Sequence, residues 1–170
     1  MRRRLGHLTL TVTLGALLAA CNHPTTPAAS TSSNPSTASS ALARPAATAS
    51  DSTWGSYLAG QGKLHAKDVS MRPYIYVIPA GDSVAATARR QNETDSVVHD
   101  IGPILIPGGM LIVGGPNPKQ TTAFLNDVAK QVKPDALKGI VVMVVSDASE
   151  QATVANTLKA SGATVRFVTM

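Results

Sequence analysis

The sequence predicts an α/β domain: a small, mostly parallel sheet of four to five strands with helices on its faces. Three observations lead there. From Pro73 onward, β-rich runs alternate with helix signals, and a β-α-β-α-β-α-β order implies parallel strands joined by helical crossovers. The run Ile140-Val141-Val142-Met143-Val144-Val145 is apolar without interruption, as befits a strand buried on both faces in the middle of a parallel sheet. Helix-capping residues stand just after the strand runs, at Asp82, Asn117 and Asp147.

Taken in order, Trp54, Tyr57 and Leu58 fall at spacings of three and four, which places them on one face of a short helix. They serve either as an amino-terminal cover packed on the domain or as a partner-contact patch, since Trp and Tyr favour interface hot spots. Gly60-Gln61-Gly62 is expected to end that helix. Tyr74-Ile75-Tyr76-Val77-Ile78 reads as the first strand, closed by Pro79-Ala80-Gly81. Asp82 then caps a helix reaching about Val98, with a thin apolar stripe of Val84, Ala88, Val97 and Val98. Ile104-Leu105-Ile106 and Met110-Leu111-Ile112-Val113 flank Pro107-Gly108-Gly109 and read as a hairpin or as one interrupted strand. Asn117 as N-cap with Pro118 at the first helical position opens a clear helix, with Phe124, Leu125, Val128 and Val132 on one face. Asp147 and Glu150 have capping-box spacing for a third helix, whose expected inner face is Ala148, Ala152, Ala155 and Leu158. Gly162 ends it, and Thr164-Val165-Arg166-Phe167-Val168 forms the last strand. Arg166 inside that run argues for an edge position.

Ahead of the domain, Arg2, Arg3 and Arg4 precede an apolar stretch from Leu8 to Leu18 that is too short to span a bilayer. It ends Leu18-Ala19-Ala20-Cys21, and Cys21 is the sole cysteine. The tetrad resembles the lipobox of bacterial lipoproteins. That resemblance implies cleavage before Cys21, acylation of its thiol (palmitate among the acyl chains), and a membrane partner reached through the lipid. Asn22 after the cysteine implies, by resemblance to enteric lipoproteins, the outer membrane and the periplasm. The expected organisation is a signal peptide over residues 1–20, a lipidated Cys21 and tether over 21–50, and the α/β domain over 51–170. Residues 22–50 hold 8 Ala, 7 Ser, 5 Thr and 4 Pro, a composition that builds no core and predicts a disordered linker. Its mean span as a flexible coil is about 30 Å.

Charge narrows the function classes. The chain carries 15 basic and 10 acidic side chains, but without its first twenty residues the balance is 12 to 10. A nucleic-acid partner, which needs clustered basic surface to release counterions from phosphate, is not expected. With Cys21 acylated no thiol remains for a disulfide, a nucleophile or a metal, and two distant histidines, His65 and His99, make no metal site.

Ligands of open α/β sheets bind beyond the carboxyl ends of the strands. Asp82, Ser83, Asn117, Ser146 and Asp147 stand at those ends and form the best candidate ligand site. Each of the three predicted caps also has a sufficient structural role at a helix start. Gly114-Gly115-Pro116-Asn117-Pro118-Lys119-Gln120-Thr121-Thr122 follows a strand and precedes a helix as a phosphate-binding loop does. It has Pro118 where that motif needs Gly and Gln120 where it needs a hydroxyl residue, and Pro116 and Pro118 remove two N–H donors. No dinucleotide fingerprint and no G-x-S-x-G elbow is present, so no cofactor and no catalytic residue is assigned. A tethered, lipid-anchored α/β domain is similar in architecture to the peptidoglycan-associated lipoproteins. Residues 146–162 hold Asp147 but lack the arginine of that family's sugar-peptide site.

The expected function is therefore a lipid-anchored envelope protein whose domain binds another protein, as a component or inhibitor within an envelope or secretion system. Trp54, Tyr57 and Arg166 are the expected contact residues. The alternative is a periplasmic small-ligand or glycan-binding domain using the strand-end loops. A hydrolase using Ser83, His99 and an aspartate is the third reading.

Overall fold

In the computed structural model, which describes residues 42–170, four parallel strands lie side by side in their order along the chain. They are β1 (Tyr74–Val77), β2 (Met110–Gly114), β3 (Val141–Ser146) and β4 (Thr164–Thr169). The helices are α1 (Asp51–His65), α2 (Val84–Asp95), α3 (Pro118–Gln131) and α4 (Gln151–Leu158). A right-handed crossover that always steps to the next strand in the same direction lays its helix on the same face each time. That is the arrangement here. Leu111, Val113, Val142 and Val144 face Val97, Phe124, Leu125, Val128, Val154 and Leu158 in one core. The alternate residues Met110, Ile112, Val141, Met143 and Val145 face Trp54, Tyr57 and Leu58 of α1 in another. Helices α2 to α4 thus cover one side of the sheet, and α1 alone covers the other.

The double-sided burial read from residues 140–145 is realised in β3, every residue of which is buried between β2 and β4. Asn117 caps α3 by accepting from the amides of Lys119 (3.0 Å) and Gln120 (3.3 Å), with Pro118 at the start of the helix. Gly162 closes the helical region in the left-handed conformation, and β4 is an edge strand.

Several expectations are corrected. Gly60 and Gly62 do not end α1, which runs on to His65. They lie on faces where the backbone needs close approach: a Cβ on Gly62 would stand 2.5 Å from Ile112 Cδ1, and one on Gly60 2.5 Å from Leu42 Cδ1. Ser83, not Asp82, caps α2, its hydroxyl accepting from the Ala86 amide at 3.1 Å. The proposed stripe on that helix fails at Val84, which is 88% exposed, and at Ala88; Thr94 and Val97 are the residues it buries. Ile104-Leu105-Ile106 is neither hairpin nor strand. Residues Gly102–Ile104 form a single 3₁₀ turn, and Ile104 and Ile106 are 56% and 57% exposed. Asp147 and Glu150 form no capping box. Residues Ala148–Glu150 are a 3₁₀ turn with no side-chain cap, and Glu150 instead accepts from Thr122 Oγ1 at 2.6 Å. Because that turn shifts the phase of α4, Val154 and Leu158 face inward while Ala148, Ala152 and Ala155 are exposed.

Residues 42–50, read as the end of the tether, are irregular but packed on the domain. Trp54 Nε1 donates to the Ala46 carbonyl at 3.3 Å, Ala49 packs against the α1 side of the core, and Arg44 pairs with Asp147 at 2.8 Å. The remainder of the tether, the signal peptide and Cys21 lie outside the described residues.

Three substitutions probe this packing. Val144→Asp places an unpartnered charge in a fully buried position and should abolish cooperative unfolding as followed by circular dichroism. Gly62→Ala should cost about 1–3 kcal/mol by pressing on buried Ile112. Gly55→Ala, whose Cβ meets only Val77 Cγ2 at 3.7 Å, should instead be neutral or gain up to about 1 kcal/mol from helix propensity. Denaturant melts of the two alanine variants check both signs.

Candidate functional site

Since every strand is parallel, the strand-end loops do share one edge of the sheet. Their polar groups are nevertheless bonded sideways into the scaffold. Asp82 accepts from Gln120 Nε2 at 2.7 Å and lies 3.8 Å from Arg90 Nη2. Arg90 also donates to the carbonyls of Pro79 (3.2 Å) and Gly81 (2.7 Å). Ser83 and Asn117 are occupied as caps. Asp147 is held by Arg44 on the α1 side. Gln120 thus links Asp82 to the cap Asn117, while Asp147 is drawn toward α1. Ser146 alone is unengaged: its hydroxyl is fully buried with no hydrogen-bond partner.

Topology gives these loops no ready-made crevice. In doubly wound sheets the ligand cleft forms where the strand order reverses and adjacent helices go to opposite faces. The order β1-β2-β3-β4 never reverses. The loop after β2 is also shut against β1: Ile78 N–H donates to Gly114 O at 2.8 Å, and a Cβ on Gly115 would stand 2.2 Å from Ile78 O. The suggested Ser83–His99 pair is excluded by distance. Ser83 caps the start of α2 and His99 lies sixteen residues on, within the π-helical turns Ser96–Ile101 that continue it, so the two are more than about 20 Å apart along the helix.

The expected contact residues prove structural in part. Trp54 and Tyr57 are buried, meeting edge-to-face with centroids 5.8 Å apart; α1 is the cover, and the Trp54 ring offers no free surface. Arg166 is partly buried. It donates to the His65 carbonyl at the end of α1 and to both carboxylate oxygens of Asp68, at 2.9 and 2.8 Å. A cation there complements the helix terminus. The same guanidinium holds the exposed Asp68 carboxyl below its ordinary range.

A more open surface runs beside β4. A groove of about 720 Å³ lies between α1 and this strand, lined among others by Leu42, Tyr57, Gln61, Leu64, Phe167 and Met170. Leu64 is 46% exposed. Thr164 N–H donates to Ile140 O and Met170 N–H to Ser146 O. By the alternation of a parallel ladder, the even-numbered residues face β3 and the N–H and C=O groups of Val165, Phe167 and Thr169 point outward. No described residue pairs with that outer edge through its backbone. Sequence reasoning found the edge through Arg166 but missed the groove. The available signal was the face Tyr57, Gln61, Leu64, which continues helical spacing past the glycines.

Among the described residues, no cluster of three or more His, Cys, Asp or Glu could hold a metal ion, and no helix is long and apolar enough to cross a membrane. No family model, no curated protein and no solved structure matches this chain.

Two outcomes test this description. Arg166→Gln should return the Asp68 titration midpoint upward toward its ordinary 3.8, read from carboxyl NMR shifts. Since the folded-state value is depressed, the stabilisation from this pair is present above the ordinary carboxylate range and lost as pH falls below it. Ser146→Ala removes a buried hydroxyl that has no partner and should be neutral or stabilising by up to about 1 kcal/mol, measured by denaturant melts.

Proposed function

We propose that this chain is a lipid-anchored envelope protein whose α/β domain binds another protein by accepting an extended segment along β4. The observation that carries the reading is the outer edge of β4, six residues long and unpaired among the described residues, with a groove beside it. Main-chain groups of Val165, Phe167 and Thr169 would supply the affinity. The groove wall, Leu64 and Met170, would select the partner's side chains. Support for the anchor comes from the tetrad Leu18-Ala19-Ala20-Cys21. Acylation of Cys21 with several chains would give durable attachment to the outer membrane, facing the periplasm. The alternative, a small-ligand or glycan-binding domain using the strand-end loops, has one observation in its favour, the unpartnered Ser146 hydroxyl.

A photo-cross-linker placed at Leu64 in the membrane-anchored protein should give a discrete protein adduct. Thr169→Pro deletes an outward N–H while sparing the ladder to β3; it should abolish that adduct with the melting temperature little changed. An adduct indifferent to Thr169→Pro in a folded protein contradicts strand addition. Cys21→Ser should abolish lipid labelling and release the protein from membranes, and continued labelling of that variant contradicts the anchor.

A further inference from the structure

A second concavity, of about 520 Å³, lies near the amino-terminal ends of the central strands, where the chain approaches β2 and β3. Its size falls in the range of small-molecule sites. Its walls are apolar: Val98, Leu105, Val132 and Leu137, of which Leu137 is fully buried. Exposed His99 and Lys133 stand among its lining residues. Lys133 has no ion-pair partner among the described residues, unlike Lys130, whose ammonium lies 3.3 Å from Asp127.

The backbone around the bowl departs from regular helix at this place. After Asp95, α2 widens into the π-helical turns Ser96–Ile101, closed by Gly102 N–H donating to Val97 O. A Cβ on Gly102 would lie 2.8 Å from that same carbonyl. The residue must therefore lack a side chain for the widened turn to close. Such insertions in a helix recur at functional sites. Here the wide turn buries Val97 in the core and leaves Val98 and His99 to line the bowl.

We infer that this bowl binds an amphipathic organic monoanion, an apolar ring or short chain bearing one carboxylate. The body lies against Val98, Leu105, Val132 and Leu137, and the carboxylate meets the Lys133 ammonium, with Gln131 and His99 as further polar groups at the site. A neutral apolar molecule would leave the lysine unused, and an inorganic anion would leave the apolar walls wet. The site shares no residue with the β4 groove and stands independently of the reading proposed for it.

The test uses 2-naphthoate and the uncharged 2-naphthamide, titrated into the full chain in a non-ionic detergent and followed by amide NMR shifts. Saturable shifts should centre on Val98, Gly102 and Ala136, with naphthoate bound about ten-fold more tightly than the amide, the equivalent of one charge-assisted contact. Lys133→Glu should erase that preference while retaining amide binding. Ala136→Trp, at an exposed lining position, should abolish both. Shifts centred elsewhere, equal affinity for the two probes, or a Lys133→Glu protein that still prefers the acid would overturn the inference.

Discussion

The structure depends on one constraint: three successive crossovers place α2, α3 and α4 on the same face of a four-stranded parallel sheet. The opposite face, carrying Met110, Ile112, Met143 and Val145, would then stand open to water. A single helix formed before the first strand has to seal it. Helix α1 does so with Trp54 and Leu58, both fully buried, and with Gly62, which lets its backbone settle onto Ile112. The seal is fastened at both ends. Asp51 pairs with Arg89 of α2 at the start, and the His65 carbonyl accepts from Arg166 of β4 at the finish. Residues 42–50 then pack over the same helix, the Trp54 indole donating to Ala46.

The same topology decides where a ligand or partner could sit. A strand order that never reverses opens no cleft at the carboxyl ends of the strands, and the side chains there turn to capping and to pairing with each other. What a four-stranded open sheet cannot avoid is two edges. Strand β1 has four residues, and the Tyr76 hydroxyl behind it lies 3.4 Å from Ser96 Oγ. Strand β4 is longer, and α1 overhangs it to form a groove. The sheet thus offers its longest free run of main-chain donors and acceptors where apolar side chains are also exposed.

Much of the fold was legible because burial leaves a plain mark on sequence. The apolar run of β3 declared a central strand, Asn117-Pro118 declared a helix start, and Arg166 declared an edge. What misled were local signals overruled by packing. Glycines at 60 and 62 look like helix breakers, yet Gly62 lets α1 press against the sheet at Ile112 and Gly60 makes room for Leu42. Asp147 and Glu150 have the spacing of a capping box, yet Arg44 and Thr122 compete for their carboxylates. The candidate ligand residues were correctly placed on one edge, since parallel strands require it. Whether they converge depends on strand order, which local sequence pattern does not encode. Helical spacing likewise shows that the Trp54 face is apolar without showing what covers it, which in the fold is the sheet.

Among the described residues, β4 presents an unpaired edge, and amide hydrogen exchange on the purified chain reads it residue by residue. Val165, Phe167 and Thr169 should exchange far faster than Arg166 and Val168, whose amides face β3. Equal protection of both sets would show that the edge is already covered and that strand addition there is ruled out.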